Sequence, residues 1–154
     1  MTSARHTKIL NDFLAGEGAY AAWANEGLGP QRLVGWSPGA LSLEWTIEPD
    51  MVLPDGVMFG GRVAAMADHV TSLVAMTALA ADDMRFRTSR LDTSFFRPIK
   101  QPRIDVAARV VNVSARLIHV EADFLNVDGK ICARSCAVQS RRTSRDGPAP
   151  DDAA

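Results

Sequence analysis

Two glycines and an aspartate stand close together in the segment 59–68, and their types and spacing could support acyl-transfer chemistry. Gly60 and Gly61 open a run of mostly apolar, helix-forming residues, so their backbone N–H groups should be approachable at the positive end of the helix dipole. Such groups can hold a carbonyl oxygen as it gains negative charge. Asp68 lies inside the same run, where an unpaired buried carboxylate would be costly and would need a partner. In the alternative interpretation, the glycines form a tight turn and Asp68 is a solvated or hydrogen-bonded helix residue.

The helix that carries these residues is predicted over about 60–80. It is apolar on nearly every side, which is typical of a helix wrapped by a sheet. The rest of the pattern predicts, in chain order, one or two helices over 4–26, a hairpin of strands 31–36 and 41–47, an irregular loop over 49–58, and, after the helix, strands 85–96, 104–112, 117–126 and 130–139. The tail from 141 offers nothing to bury, and we expect it to be disordered.

Bulk composition narrows the class of protein. A chain of 154 residues that is 47% hydrophobic and 23% charged is long enough for one globular domain with a substantial core. Its 17 basic and 18 acidic residues nearly cancel, which argues against nucleic acid or anionic membrane as a partner. The N-terminus lacks the apolar core of a signal peptide, and the longest apolar run, 70–80, is shorter than the roughly 20 residues of a membrane span. We therefore expect a cytoplasmic protein. Cys132 and Cys136 form no CxxC or Cys/His cluster, so no metal site is expected.

Several short motifs follow one another in a specific order along residues 30–140. They are Gly56, Phe59-Gly60-Gly61, Met66-Ala67-Asp68, Phe95-Phe96-Arg97-Pro98 and Asp128-Gly129-Lys130. The set resembles the hotdog-fold acyl-CoA thioesterases, in particular the phenylacetic-acid-degradation type. That resemblance implies an α+β fold in which an antiparallel sheet of five to six strands wraps around a long central apolar helix. The hotdog domain would span 30–140, between an N-terminal helical segment, 1–29, and the tail, 141–154.

The same resemblance implies a reaction and a set of catalytic residues. The reaction is hydrolysis of an acyl-CoA thioester without metal or organic cofactor, carried out by homodimers that often pair into tetramers. Asp68 would be the nucleophile or the general base that activates water. The backbone N–H of Gly60 would polarise the thioester carbonyl, and the hydroxyl of Thr88 would assist the water. Because Gly60 and Asp68 are eight residues apart, they lie roughly 12 Å apart along one helix, so a shared carbonyl requires them to come from different subunits.

Further residues are candidates for substrate binding, each with a structural alternative. Phe59 and Gly61 flank the Gly60 amide, although core packing is the default for a phenylalanine. Ser72, one turn beyond Asp68, would either hydrogen-bond the carboxylate or line the acyl pocket, or else bond only to the backbone. Arg97 at a strand end and Arg116 after a turn are candidates for the phosphates of CoA, or are solvated arginines. His69, about 100° around the helix from the aspartate, is expected to be a packed or dimer-facing residue.

Two positions depart from the family pattern. Phe59 stands where relatives have the histidine of His-Gly-Gly, and Leu53 stands where relatives place Asn or Gln. These departures keep open a second hypothesis, that the protein binds acyl-CoA or another small ligand without catalysis. A hydratase or dehydratase is the least favoured function, because that chemistry usually needs a catalytic histidine with an acid, and the loop 49–59 contains no histidine.

Overall fold

The computed structural model describes residues 1–81 and 85–142. The elements, in chain order, are α1 (Ala4–Leu14), α2 (Gly18–Leu28), β1 (Gln31–Ser37), β2 (Ala40–Thr46), a short 3-10 turn (Pro49–Met51), α3 (Gly60–Met76), β3 (Arg85–Phe95), β4 (Arg103–Val113), β5 (Leu117–Leu125) and β6 (Ile131–Arg142). The N-terminal pattern therefore forms two helices, separated by a break at Gly16, which has a φ of 73°.

The six strands form one antiparallel sheet in the order β1-β2-β4-β5-β6-β3. Helix α3 packs across one face of this sheet and contacts β2 to β6. The expected α+β hotdog architecture, with a six-stranded antiparallel sheet around one long helix, is confirmed. β3 lies at a sheet edge and pairs only with β6 within the described residues.

Apolar and polar residues alternate in β2, and this pattern determines which face of the strand is buried. Leu41, Leu43 and Trp45 are buried, whereas Ser42 and Thr46 between and after them are exposed. A strand with period-two alternation buries one face and leaves the other to solvent. The indole N–H of Trp45 donates to the carbonyl of Leu28 at 2.9 Å, which satisfies its one polar atom in the core.

Helix α3 is buried along most of its surface, but one stripe is uncovered. Nine of its 17 residues are buried, with Met66, Val70 and Leu73 among them. Gly61 and Asp68 belong to the exposed stripe. The sheet therefore does not enclose this helix on every side within a single subunit.

The C-terminal end of α3 differs from the sequence prediction by four residues. The helix ends at Met76 rather than near residue 80. The hydroxyl of Thr77 donates to the carbonyl of Val74 at 2.7 Å and accepts from the N–H of Gly39 at 2.8 Å. The backbone N–H of Thr77 also bonds to Val74, so the last turn tightens and the chain leaves the helix while Leu79 stays buried.

Two other segments differ from expectation. The loop 49–58 contains the 3-10 turn Pro49–Met51 and an antiparallel bridge between Val52 and Met58, so it is more regular than predicted. β6 continues to Arg142, two residues into the predicted tail. The remainder of that tail, 143–154, lies outside the described residues. No helix in 1–81 or 85–142 is long and apolar enough to cross a membrane.

Candidate active site

The N-terminus of α3 presents two backbone N–H groups. Phe59 is the N-cap, and its side chain makes no capping hydrogen bond. The amides of Arg62 and Val63 both donate to the carbonyl of Phe59, at 3.0 and 3.4 Å. The amides of Gly60 and Gly61 have no such acceptor among the described residues, as expected for the first turn of a helix. They are donors available to an anion or a polarised carbonyl.

A cavity of about 400 Å³ opens beside this helix end, and Gly60 forms part of its wall. The other lining residues come from the first turn of α3, from the loop before it, and from the end of β3 and the segment after it: Val63, Val57, Met58, Phe95, Phe96, Arg97, Pro98 and Ile99. A side chain at position 60 would approach the Phe95 ring, because a Cβ there would lie 3.2 Å from Cζ of that ring. The glycine therefore keeps this wall open and its amide accessible.

Phe59 and Gly61 form a local pair next to the cavity. A Cβ at position 61 would lie 2.5 Å from Cε1 of Phe59, so the phenyl ring covers the second glycine closely. Phe59 itself is 58% exposed and does not line the cavity. Its role in substrate binding stays a prediction.

Asp68 lies two turns further along α3, exposed, and outside the lining of the cavity. Its backbone carbonyl accepts a hydrogen bond from the Thr71 hydroxyl at 3.2 Å. The carboxylate acts electrostatically on two neighbours, Tyr20 of α2 and His69 of α3. One subunit therefore does not bring Gly60 and Asp68 to the same cavity.

His69 is packed rather than free to form a catalytic couple with Asp68. Its Nε2 lies 2.9 Å from Oε1 of Gln31, and its Nδ1 lies 3.3 Å from the Tyr20 hydroxyl. The imidazole also stacks near Phe13 and Trp23, with ring centroids 5.9 and 6.0 Å away. Burial lowers the pKa of His69 to about 4, and the Asp68 carboxylate opposes that shift only in part. Burial, with the same carboxylate, raises the pKa of Tyr20 to about 12.

Thr88 lies on β3 directly opposite Gln139 of β6. The Thr88 hydroxyl donates to Oε1 of Gln139 at 3.1 Å. Gln139 is completely buried, and its Nε2 has no hydrogen-bond partner in the part of the chain that the structure describes. Gln139 is not among the residues that the sequence motifs indicate. A signal was present, since β6 places Ala133, Ser135, Ala137 and Gln139 at alternate positions, and a glutamine on that buried face is out of pattern.

The remaining candidates are divided between two ends of the sheet. Arg97 lines the cavity, and its Nη1 donates to the carbonyl of Ile131 at 2.7 Å. Arg116 lies in the turn between β4 and β5, where its carbonyl accepts from the N–H of Arg141. Because that turn is beside the C-terminal end of β6 and Arg97 is beside its start, one subunit keeps the two arginines apart. Ser72 is half-buried one turn beyond Asp68.

No group of three or more His, Cys, Asp or Glu residues within 1–81 and 85–142 could hold a metal ion. Cys132 is buried and Cys136 is exposed, and both are free thiols.

The sheet, the single long helix packed on it and the glycine pair at the start of that helix define a hotdog fold of the thioesterase kind. The chain belongs to the thioesterase superfamily. The model of that family matches residues 55–133, just over half of this chain. Thioester hydrolysis is the activity that this membership supports.

Solved structures agree with this assignment. A phenylacetic acid degradation-related protein of Ralstonia eutropha JMP134 is 26% identical, with a TM-score of 0.74 over 85% of this chain and 98% of that one. A thioesterase of Haemophilus influenzae is 18% identical, with a TM-score of 0.71 over 78% and 82% of the two chains. A hypothetical thioesterase protein of Streptococcus pneumoniae, solved with coenzyme A, is 11% identical, with a TM-score of 0.68 over 74% and 87%. The search of curated proteins gave no match. The resemblance to hotdog-fold thioesterases of the phenylacetic-acid-degradation type is thus confirmed.

Proposed function

We propose that the protein hydrolyses an acyl-CoA thioester to the free acid and CoA, at a site shared by two subunits. The observation that carries this proposal is the placement of Gly60 and Asp68 on one continuous helix, α3, with the glycine in the cavity wall and the aspartate outside it. Their separation of roughly 12 Å along the helix is too large for both to act on one carbonyl within a subunit. A two-fold axis that brings the glycine end of one α3 toward the aspartate of another would assemble two equivalent sites.

The free edge of the sheet supports such an assembly. β3 is 11 residues long, pairs only with β6 among the described strands, and ends at the exposed Phe95. A long edge strand of this kind is a template for pairing with a second copy. A homodimer built on this edge is the minimum active unit that we propose, and pairing of dimers into tetramers is compatible with it.

In the proposed reaction, the Gly60 amide donates to the thioester oxygen. Attack on the carbonyl carbon converts that oxygen to an oxyanion, which a fixed N–H at a helix start stabilises more than the neutral carbonyl. The donor needs no reorganisation, because Gly60 lacks another acceptor in the described structure.

Asp68 of the other subunit would supply the base or the nucleophile. As general base, it takes a proton from water while the water oxygen bonds to the carbonyl carbon, and returns the proton to the CoA sulfur as the carbon–sulfur bond breaks. As nucleophile, it forms a mixed anhydride and releases the CoA thiolate before water hydrolyses the anhydride. The Thr88 hydroxyl would hold the water in either case.

The cavity suggests how the substrate is held. Its lining is mainly apolar, with Phe95, Phe96 and Ile99 on its walls, and Arg97 is the one cationic residue among them. An apolar wall suits the acyl or pantetheine portion, and a guanidinium suits a phosphate of the nucleotide. The coenzyme A in the Streptococcus pneumoniae structure supports CoA as the carrier.

The decisive experiment compares wild type with Asp68→Asn on a panel of aryl-CoA and fatty-acyl-CoA thioesters, measuring release of the free CoA thiol. We expect the variant to lose at least about 100-fold in kcat, since a positioned acid–base group contributes roughly that much or more. Asp12→Asn is the matched control, because the Asp12 side chain makes a surface ion pair with Lys8 on α1, away from the cavity. Equal turnover by Asp68→Asn and wild type would remove the assigned role. Tight acyl-CoA binding by wild type, without turnover of any panel member, would favour a non-catalytic binding protein. Phe59 and Leu53, which depart from the family pattern, motivate that alternative.

A further inference from the structure

Gln139 and Thr88 form a polar pair on the inner face of the sheet. The two residues are directly opposite each other on β6 and β3, so their side chains project from the same face. That face packs against α3, the helix that carries Asp68. Gln139 has no solvent exposure, whereas Thr88 is half-buried. The hydroxyl is thus the partner that a water in the site can reach, and the amide is the partner behind it.

The hydrogen bond between them fixes which way the hydroxyl proton points. Thr88 donates its proton to Oε1 of Gln139. A hydroxyl has a single proton and two lone pairs, so a threonine that donates to the amide can only accept from a water. A water that gives one proton to Thr88 and the other to a carboxylate keeps a lone pair directed away from both. In hydrolysis, that lone pair attacks the carbonyl carbon of the thioester.

The buried side-chain amide of Gln139 lowers stability at its position. Its Nε2 is buried without a hydrogen-bond partner in the described structure, and a buried unsatisfied donor costs stability. The neighbouring inward positions of β6, Ala133, Ser135 and Ala137, are small. An apolar residue of similar size would fill the position of Gln139 without that cost.

We propose that Gln139 is a positioning residue of the thioesterase site, which orients the Thr88 hydroxyl as a hydrogen-bond acceptor for the attacking water. This inference rests on the proposed function, in which Thr88 holds that water. Gln139 acts through Thr88 and does not itself touch the reacting carbonyl. Its contribution should therefore appear in kcat and disappear once the threonine hydroxyl is gone.

The experiment is a double-mutant cycle with Gln139→Met, Thr88→Val and the double variant, assayed on the best acyl-CoA of the panel with Tm measured for each protein. We expect each single variant to lose about tenfold in kcat, equivalent to about 1.4 kcal/mol, with KM within about twofold. The double variant should lose no more than either single variant, because the two residues act as one unit. Gln139→Met should have a Tm equal to or above that of wild type, since it removes the unsatisfied amide.

The matched control is Ser135→Ala, which removes another buried polar contact between the same two strands. Ser135 is fully buried, and its hydroxyl lies 2.9 Å from that of Thr93. We expect its kcat to stay at the wild-type value. A wild-type kcat in Gln139→Met, multiplied losses of about 100-fold in the double variant, or an equal loss in Ser135→Ala would overturn the inference while leaving the thioesterase intact. Absence of wild-type turnover on every acyl-CoA would overturn the proposed function and this inference with it.

Discussion

The Gly60 amide can be removed without removing the helix, which allows its proposed role to be tested in isolation. Gly60 is the first residue of α3, a position where proline is favoured because its fixed φ suits the helix start and its missing N–H has no intrahelical partner. The preceding residue, Phe59, has φ −63° and ψ 126°, which is the extended conformation that a following proline requires. Gly60→Pro should therefore fold without the proposed oxyanion donor, although its ring also adds carbon atoms beside Phe95.

Gly60→Ala provides the matched control, since it adds the same Cβ but keeps the N–H. That Cβ would lie 3.2 Å from Cζ of Phe95, so the ring must shift by a few tenths of an ångström. Phe95 is 55% exposed and has room to move. A side-chain adjustment of this kind costs about 0.5 to 1 kcal/mol of stability. Because the N–H remains, the kcat of Gly60→Ala should stay within about fivefold of wild type.

Loss of one oxyanion donor costs about 100- to 1,000-fold in kcat, or about 3 to 4 kcal/mol, so Gly60→Pro should fall far below Gly60→Ala. The assay is thiol release at saturating acyl-CoA, with circular dichroism to confirm that both variants keep their helix content. If proline and alanine reduce kcat equally, the effect is steric, and the Gly60 N–H has no part in stabilising the oxyanion.

Two further predictions concern the shared site and its pH response. Gly60→Pro and Asp68→Asn chains, unfolded and refolded together in equal amounts, should recover about one quarter of wild-type activity. Half of the random dimers are mixed, and each mixed dimer has one intact site. No recovery would mean that both residues serve the same subunit's site. The depressed pKa of His69, about 4, predicts that stability is fully present above pH 6.5 and declines as pH falls toward 4. Between pH 6.5 and pH 5, the free energy of unfolding should fall by about 1.6 kcal/mol, measured by urea denaturation. His69→Gln should lack this component, and an unchanged pH slope in that variant would assign the loss to other groups.

The strands were the most predictable part of the fold, because each carries its own alternating pattern. In β2, Leu41, Leu43 and Trp45 identify the buried face without reference to any other element. The order of the strands across the sheet cannot be read from the sequence of each strand. β3 pairs with β6, and β2 pairs with β4, across connections that only the folded chain brings together.

The error in the predicted end of α3 has a tertiary cause. Apolar residues continue past Met76, and periodicity alone extends the helix to about residue 80. What ends it is the Thr77 side chain, which bonds both to Val74 and to Gly39 of the β1–β2 turn. A tertiary contact of this kind overrides helix propensity and has no signature in the residues around it.

For the candidate site, the sequence predicts which groups take part but not what surrounds them. The Gly60 amide at the helix start and the Asp68 carboxylate two turns away followed from spacing. The partner of Thr88 did not, because Gln139 is 51 residues away and meets the threonine only through strand pairing. The sequence makes Arg97 and Arg116 equal candidates for phosphate ligands, yet Arg97 lines the cavity and Arg116 lies by the opposite end of β6.

The N-terminal helices lie outside residues 55–133, which carry the family match, and yet α2 contacts the residue beside Asp68. Consecutive helix residues are about 100° apart, so fixing one side chain around the axis of α3 fixes the next. His69 is fixed by Gln31 of β1 and by Tyr20 of α2. With His69 held in that buried cluster, α3 cannot rotate without breaking both hydrogen bonds, and the adjacent carboxylate stays on the exposed stripe. Tyr20 therefore belongs to the framework of the proposed site, although it touches neither the cavity nor the helix start.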